Sequence, residues 1–200
     1  MSDLPLVLAS SSPYRSAILE KINLPFISVS PNINESAHNN ESPEALVARV
    51  TQEKAFAIQS NFPNHLIISS DQIATLSDGT ILTKPHTHDN AIKQLQACNG
   101  KRVTFLTGLS LLNTATHNHQ LIIEPFDVTF RTLSNDEIDN YLRLEQPYDC
   151  AGSFKVEGLG ICLFESLTGN DINALVGLPL IKLLELLRNE SVNPLSKRNN

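Results

Sequence analysis

The stretch that most constrains this chain is Leu66-Ile67-Ile68-Ser69-Ser70-Asp71-Gln72-Ile73. A β-branched run of this kind reads as a buried strand. It nevertheless carries an ionisable carboxylate, and further apolar residues follow it. Burying an unpaired carboxylate is expensive, so Asp71 must either have a partner or face a cleft. With 200 residues the chain can build a real core around such a strand, as one domain or one domain in two lobes.

The rest of the chain predicts helices and strands alternating early and long hairpins later, which argues for a mixed sheet flanked by helices. Residues 4–9 form a short apolar run and read as a buried strand. Ser12-Pro13 predicts a helix start, with serine as N-cap and proline at the first helical position. That helix should reach about residue 21. Residues 25–29 are a second short strand, and the Asn-rich stretch 31–41 is a loop. Ser42-Pro43 repeats the start signal and opens a helix to about residue 60, with Leu46, Val47, Val50, Ala57 and Ile58 mostly on one side.

Residues 65–76 are strand-like. Asp78-Gly79 is a tight-turn dipeptide leading back through Ile81-Leu82. A helix over 87–98 should stop at Asn99-Gly100. Residues 103–112 and 121–130 should pair as a hairpin across the polar 113–120. Ser134-Asn-Asp-Glu137 is a capping box opening a helix to about residue 144. Residues 151–160 read as irregular, 161–167 as a further strand, 180–187 as a last helix and 196–200 as a polar tail. No linker separates independent domains, so the organisation expected is one domain over 1–189 and a tail over 190–200.

Charge and cysteine usage narrow the function classes. The chain has 15 Lys+Arg against 21 Asp+Glu, a formal charge of −6. It has no general electrostatic reason to bind a nucleic-acid polymer or an anionic membrane. Any phosphate it handles must be held by a few placed cations. Cys98, Cys150 and Cys162 are an odd number without CxxC spacing. They read as small buried hydrophobes rather than a disulfide framework or zinc site. The first residues carry an acid where an export signal has basic groups, and no stretch approaches the ~18 apolar residues of a membrane span. The expectation is a reduced, soluble, cytoplasmic protein. The pairs His86/His88 and His117/His119 lie in turn-like segments and read as solvated loop histidines.

Four polar clusters sit at the ends of apolar runs, where sites form in α/β sheets. Ser10-Ser11-Ser12-Pro13-Tyr14-Arg15 is a serine-rich turn into a helix N-terminus, which offers backbone N–H groups and a favourable dipole to an anion. Arg15 adds a planar donor fork suited to phosphate. Serines here also serve simply as caps. Glu35 stands alone in its loop and reads equally as a surface charge. Lys54 lies close to the apolar side of its helix and reads equally as a snorkelling lysine. Asp71 is the fourth, and Thr83-Lys84-Pro85 follows the turn, so a folded-back hairpin would bring Lys84 near Asp71. One acid, several cations and a helix N-terminus suit metal-assisted attack on a phosphate.

In order, the segments Leu8-Ala9-Ser10-Ser11-Ser12-Pro13-Tyr14-Arg15, Glu53-Lys54-Ala55, Ile68-Ser69-Ser70-Asp71-Gln72, Thr83-Lys84-Pro85, Ala151-Gly152-Ser153-Phe154-Lys155 and Gly177-Leu178-Pro179-Leu180 resemble the Maf-like family of nucleotide pyrophosphatases. The likeness covers about residues 4–188. It implies an elongated mixed α/β sheet flanked by helices, two lobes and a central cleft. It also implies hydrolysis of a nucleoside triphosphate between its α and β phosphates with a divalent cation, Mg²⁺ or Mn²⁺, and it is compatible with a homodimer. Carried over by position, Asp71 is the proton acceptor that activates water and a metal ligand. Ser10, Arg15, Lys54 and Lys84 match phosphate-contacting positions, and Glu35 falls at an acidic position near the metal.

Departures from the common pattern bear on substrate. Tyr14 replaces an arginine, Gln72 stands where the dTTP/UTP-cleaving branch has threonine, and Glu157 where that branch has glutamine. This combination resembles the branch acting on 7-methyl-GTP. Methylation at N7 makes guanine cationic, so Tyr14 can stack on it, Glu157 can accept from its N1–H and exocyclic amine, and Gln72 can add an amide contact. Asn34, where the family has an acid, and Thr83, where glycine is common, depart as well. The other readings are a dTTP/UTP pyrophosphatase of the same family and a non-catalytic nucleotide-binding regulator of cell division.

Overall fold

The computed structural model describes residues 4–196. Residues 1–3 and most of the expected tail at 196–200 lie outside that range. The long strand β3 (Leu66–Leu76) is the axis of the molecule, and ten of its eleven residues are buried. One edge of β3 is covered along its whole length. There β5 (Arg102–Asn113) pairs antiparallel with it, from Leu66 opposite Asn113 to Leu76 opposite Val103. Beyond β5 lie β6 (His119–Phe130) and then β7 (Phe164–Thr168), both antiparallel.

The other edge of β3 is shared. The strand β1 (Leu6–Leu8) runs parallel beside Leu66, Ile67 and Ile68, with β2 (Phe26–Ser28) parallel beyond it. Further along, β4 (Ile81–Leu82) pairs antiparallel with Thr75 and Ala74. Residues 69–73 are left between β1 and β4 with no strand on that side. The seven strands form one mixed sheet in the order β2-β1-β3-β5-β6-β7, with β4 as a branch.

Alternation along β3 sorts the helices onto the two faces. Ile67 and Ile73 pack with residues of α2 (Pro43–Ile58). Leu66 and Ile68 pack on the opposite face with Ile18 and Leu19 of α1 (Pro13–Glu20), and with Leu183, Leu186 and Leu187 of α6 (Leu180–Asn189). The far end of β3 carries a separate cluster on that face, where Ala74 meets Leu95 of α3 (His88–Cys98), Ile138 and Leu142 of α4 (Asn135–Glu145), and Phe105 and Phe154. Two cores at opposite ends of the long strands make the two lobes. Each fully buried Leu or Ile contributes about 1.5–3 kcal/mol.

Helix starts are set locally. Ser12, Ser42, Thr87 and Ser134 each accept a backbone N–H of the first turn, and Glu137 completes the capping box by accepting from Ser134 N at 2.8 Å. A short helix absent from the sequence reading, α5 (Ile172–Val176), lies between the cap Asp171 and Gly177. The second carboxylate oxygen of Asp171 accepts from Ile181 N at 2.8 Å, so one side chain caps two helices.

Several expectations need correction. Residues 161–163 are not strand: 159–163 coil into a 3₁₀ turn, and β7 begins at Phe164. Glu145 accepts from Leu159 N at 2.8 Å, and Gly160 N donates to Lys155 O at 3.0 Å. A Cβ on Gly160 would collide with that carbonyl, and Ile161 is left exposed. Two histidines are not solvated loop residues. His88 opens α3 between Tyr148 Oη at 2.9 Å and Asp139 at 2.8 Å, and His119, on β6, bonds Ser110 at 2.8 Å and packs on Phe56. Of the cysteines, only Cys98 is buried; Cys150 is partly buried, Cys162 is exposed, and all are free thiols. Among the described residues no helix is long and apolar enough to cross a membrane.

The approach of α2 to the sheet is set at Gly108, which sits opposite Asp71 in the β3–β5 register. A Cβ there would run into Thr51 Oγ1 and crowd Val47 O. Gly108→Ala should therefore lower stability by about 1–3 kcal/mol, as overpacking does, read as a lower urea midpoint at unchanged slope. An unchanged midpoint would mean that α2 is not in contact there.

Candidate functional site

The interrupted edge of β3 opens into a cavity of about 550 Å³, within the range of pockets that take ligands of drug or nucleotide size. All nine residues singled out in the sequence line it: Ser10, Tyr14, Arg15, Glu35, Lys54, Asp71, Gln72, Lys84 and Glu157. The topology explains their convergence. Ser10 to Arg15 leave the end of β1, Lys84 leaves the end of β4, and Asp71 stands midway along the gap between those strands.

Asp71 is buried, and its Oδ1 accepts from Lys54 Nζ at 2.7 Å. Lys54 does not snorkel. It is only 5% exposed, because the buried stripe of α2 runs through Val47, Val50, Thr51, Lys54 and Ile58. Ser69 Oγ donates to Thr51 O at 2.6 Å and ties the helix to the strand one turn away. The same ammonium meets Glu35 Oε1 at 2.9 Å, so both carboxylates are drawn to one point.

The loop bearing Glu35 is ordered from outside the cavity. Arg49 donates to Ser36 O at 2.9 Å and binds Glu41 at 2.7 Å; its hydrogen bonds hold the Glu41 carboxyl down at about 2. Asn34 accepts from Ser36 N at 3.0 Å, a turn-forming use of the side chain that replaces the family's acid.

The serine turn is more self-satisfied than its sequence suggests. Ser10 Oγ accepts from Ser12 N at 3.1 Å and Ser12 Oγ accepts from Arg15 N at 3.4 Å, so those N–H groups are not free for an anion. Ser10 keeps its own hydroxyl hydrogen to donate. Arg15 Nε donates to Gly177 O at 2.8 Å. Desolvation pulls the Arg15 pKa down, and the charges of Asp71 and Glu35 oppose it; an arginine stays protonated regardless.

Lys84 is exposed on the rim and has no ion pair with Asp71 among those formed by the described residues. Gln72 spends its amide nitrogen inside the protein, on Ala174 O at 2.8 Å, Leu175 O at 3.1 Å and Thr107 Oγ1 at 3.0 Å. Only its carbonyl oxygen remains for a ligand.

The far wall is the irregular segment 149–157. It brings Lys155, a cation that the sequence reading gave no role, together with Asp149 and Glu157 opposite Tyr14. Its mark in the sequence is the segment Ala151-Gly152-Ser153-Phe154-Lys155, one of those that carry the family resemblance. Desolvation opposes the Lys155 charge, but its neighbours, Asp149 and Glu145 among them, outweigh it and the pKa is raised. Tyr14 is raised by desolvation, then by Cys150, Asp149 and Glu157. An aromatic face beside two carboxylates is suited to a flat cation.

Among the described residues no group of three or more His, Cys, Asp or Glu is assembled to hold a metal ion alone. Asp71 and Glu35 do fit a hard divalent cation whose remaining ligands come from phosphate and water, since such sites need only one or two carboxylates.

The sequence pattern described as Maf-like protein matches residues 5–190. Three similar relatives are each named 7-methyl-GTP pyrophosphatase. The one from Alcanivorax borkumensis is 56% identical over 94% of both chains. That from Pseudoalteromonas translucida is 53% identical over 98% of this chain and 96% of its own. That from Colwellia psychrerythraea is 52% identical over 96% of each. Among solved structures, a HAM1 protein from Coxiella burnetii aligns with a TM-score of 0.47 at 11% identity, over 93% of this chain and 99% of that one. A Staphylococcus aureus Ham1 protein gives 0.47 at 12%, over 94% and 100%.

The pairing at Lys54 has an asymmetric consequence. Lys54→Met leaves Asp71 buried without its counter-charge and should cost about 3–5 kcal/mol. Glu35→Gln removes a carboxylate that is 55% exposed and should cost about 0–1 kcal/mol. Urea unfolding of the two variants at neutral pH checks the order. The thiols give a second test. Burial, then Asp149, pushes Cys150 up to about 12, so it stays a neutral thiol at pH 8 and should resist iodoacetamide. Cys162 is exposed and should be carboxamidomethylated first, as mass spectrometry of a time course would read.

Proposed function

The chain belongs to the Maf-like family, and from that premise we propose that it hydrolyses 7-methyl-GTP to 7-methyl-GMP and pyrophosphate. The coarser statement, that it is a nucleoside triphosphate pyrophosphatase, has the support of relatives named 7-methyl-GTP pyrophosphatase at 52–56% identity. The observation that carries the finer reading is that one cavity is lined by two sets of groups: Arg15, Lys54 and Lys84 with Asp71, and Tyr14 with Asp149, Lys155 and Glu157. The first set suits a triphosphate, and the aromatic ring and two carboxylates of the second suit a base made cationic by N7 methylation.

In this mechanism one water is added across the α–β anhydride, the bond to the leaving pyrophosphate breaks, and Asp71 takes the water's proton. Oδ1 of Asp71 is occupied by Lys54, while Oδ2 has no protein hydrogen bond among the described residues and is the oxygen that accepts the proton. A carboxylate of ordinary basicity is a weak base. Asp71 and Glu35 would hold a divalent cation, Mg²⁺ or Mn²⁺, which when bound neutralises phosphate charge and makes water more acidic.

Lys54 holds Asp71 in place. Arg15 and Lys84 take phosphate oxygens, and Ser10 adds its hydroxyl hydrogen. Around the base, Tyr14 stacks on the methylated ring and Glu157 accepts from its N1–H and amine. Gln72 contributes there through its carbonyl oxygen and through the helix end it holds.

Pyrophosphate release with Mg²⁺ or Mn²⁺ across GTP, 7-methyl-GTP, UTP, dTTP and CTP tests the reading. The expected result is a preference for 7-methyl-GTP. Asp71→Asn should lower kcat by about 10²–10⁴-fold, the scale of a lost general base. Glu157→Gln should narrow the preference without changing metal dependence. Turnover of UTP and dTTP instead would overturn the substrate and keep the reaction. Nucleotide binding without turnover would point to a regulator.

A further inference from the structure

The guanidinium of Arg15 is fixed by a single bond, from Nε to the carbonyl of Gly177 at 2.8 Å. Among the described residues neither Nη group has a protein acceptor, and the side chain lines the cavity. The fork is therefore left for a ligand, and one bond sets its direction.

The same carbonyl lies 2.8 Å from Ser70 Oγ. Ser70 is wholly buried, and its one hydroxyl hydrogen is shared between Gly177 O and Gly108 O, the latter at 2.7 Å. Gly177 ends α5 at φ 117°, and its N–H donates back to Asn173 O and Ala174 O, both at 3.0 Å. Side chains of β3 and β5 reach the same helix end: Thr107 donates to Ala174 O at 2.9 Å, and Gln72 donates to Ala174 O at 2.8 Å and to Leu175 O at 3.1 Å. The corner that holds Arg15 is thus pinned to β3 by Ser70 and Gln72, the two residues flanking Asp71.

We propose that Ser70 is a positioning residue for Arg15. Through the Gly177 carbonyl it fixes the direction in which the guanidinium fork meets the phosphates. Because Ser70 adjoins Asp71 on one strand, the fork and the proton acceptor are set by the same strand register, and drift of the α5 corner would turn the fork without moving the carboxylate. The inference rests on the reading of the cavity as a nucleoside triphosphate site.

The test is a double-mutant cycle with Ser70→Ala, Arg15→Met and the pair. Affinity is read by calorimetry with the α,β-methylene analogue of 7-methyl-GTP, turnover as KM and kcat, and stability as the urea midpoint. Ser70→Ala should weaken analogue binding about three- to tenfold, the scale of one hydrogen bond, and raise KM by a similar factor. In the Arg15→Met background the same change should leave analogue affinity unaltered, and Ser70→Thr, which keeps the donor, should restore most of it.

If Ser70→Ala moves only the urea midpoint, or weakens binding equally with and without Arg15, the positioning role is overturned while the site reading stands. If the wild-type protein binds no analogue at all, the reading of the cavity fails and the positioning role with it.

Discussion

Lys54 and Asp71 can lie buried in this protein because each meets an opposite charge, Lys54 meeting both Asp71 and Glu35. A lone ammonium or a lone carboxylate at that depth would have to lose its charge or draw in water. Together, 2.7 Å apart, they form a charged spot in a buried layer that also holds Thr51 and Ser69. Other features keep them in reach. Gly108 lets α2 lie close on β5, Ser69 holds Thr51, and the buried stripe of α2 leads the lysine inward. Such a pair is weak support for stability taken alone. Its value is placement, since it holds a carboxylate oxygen beside the cavity that Asp71 lines.

The cavity owes its existence to a missing strand. β1 ends after Leu8, β4 begins at Ile81, and five residues of β3 have no strand neighbour on that edge, of which Asp71 and Gln72 line the cavity. Strand alternation then divides the labour. Odd-numbered residues reach α2, which supplies the counter-charge. Even-numbered residues reach α5, which supplies the carbonyl that orients Arg15. A shift of one residue in the β3–β5 register would exchange these two sets and dismantle both halves of the site.

How much of this the sequence discloses depends on the range of the forces involved. Helix starts were legible because serine caps, prolines and the capping box act within four residues. That Asp71 needed a partner was legible from its setting. That the partner is Lys54, held inward rather than snorkelling, was not, since it depends on a close approach between residues 51 and 108. The serine turn offered two readings, cap and anion site: Ser12 is the N-cap, and the serine hydroxyls satisfy N–H groups that an anion would otherwise meet, a local competition that composition does not reveal. The helix α5 went unseen because five residues give no periodicity, although its cap Asp171 and its stop Gly177 were both present. Lys155 reaches the cavity only through the path of an irregular segment.

The bond from Arg15 to Gly177 spans 162 residues of chain, which gives the site a history as well as a shape. On a ribosome adding about 5–20 residues per second, the arginine emerges roughly 8–30 s before the carbonyl that aims it. The core that seats β1, α1 and β3 is completed by Leu183, Leu186 and Leu187 of α6, which leave the ribosome later still. The bearing of Arg15 and the packing beneath it are therefore set by the same late-made stretch of chain.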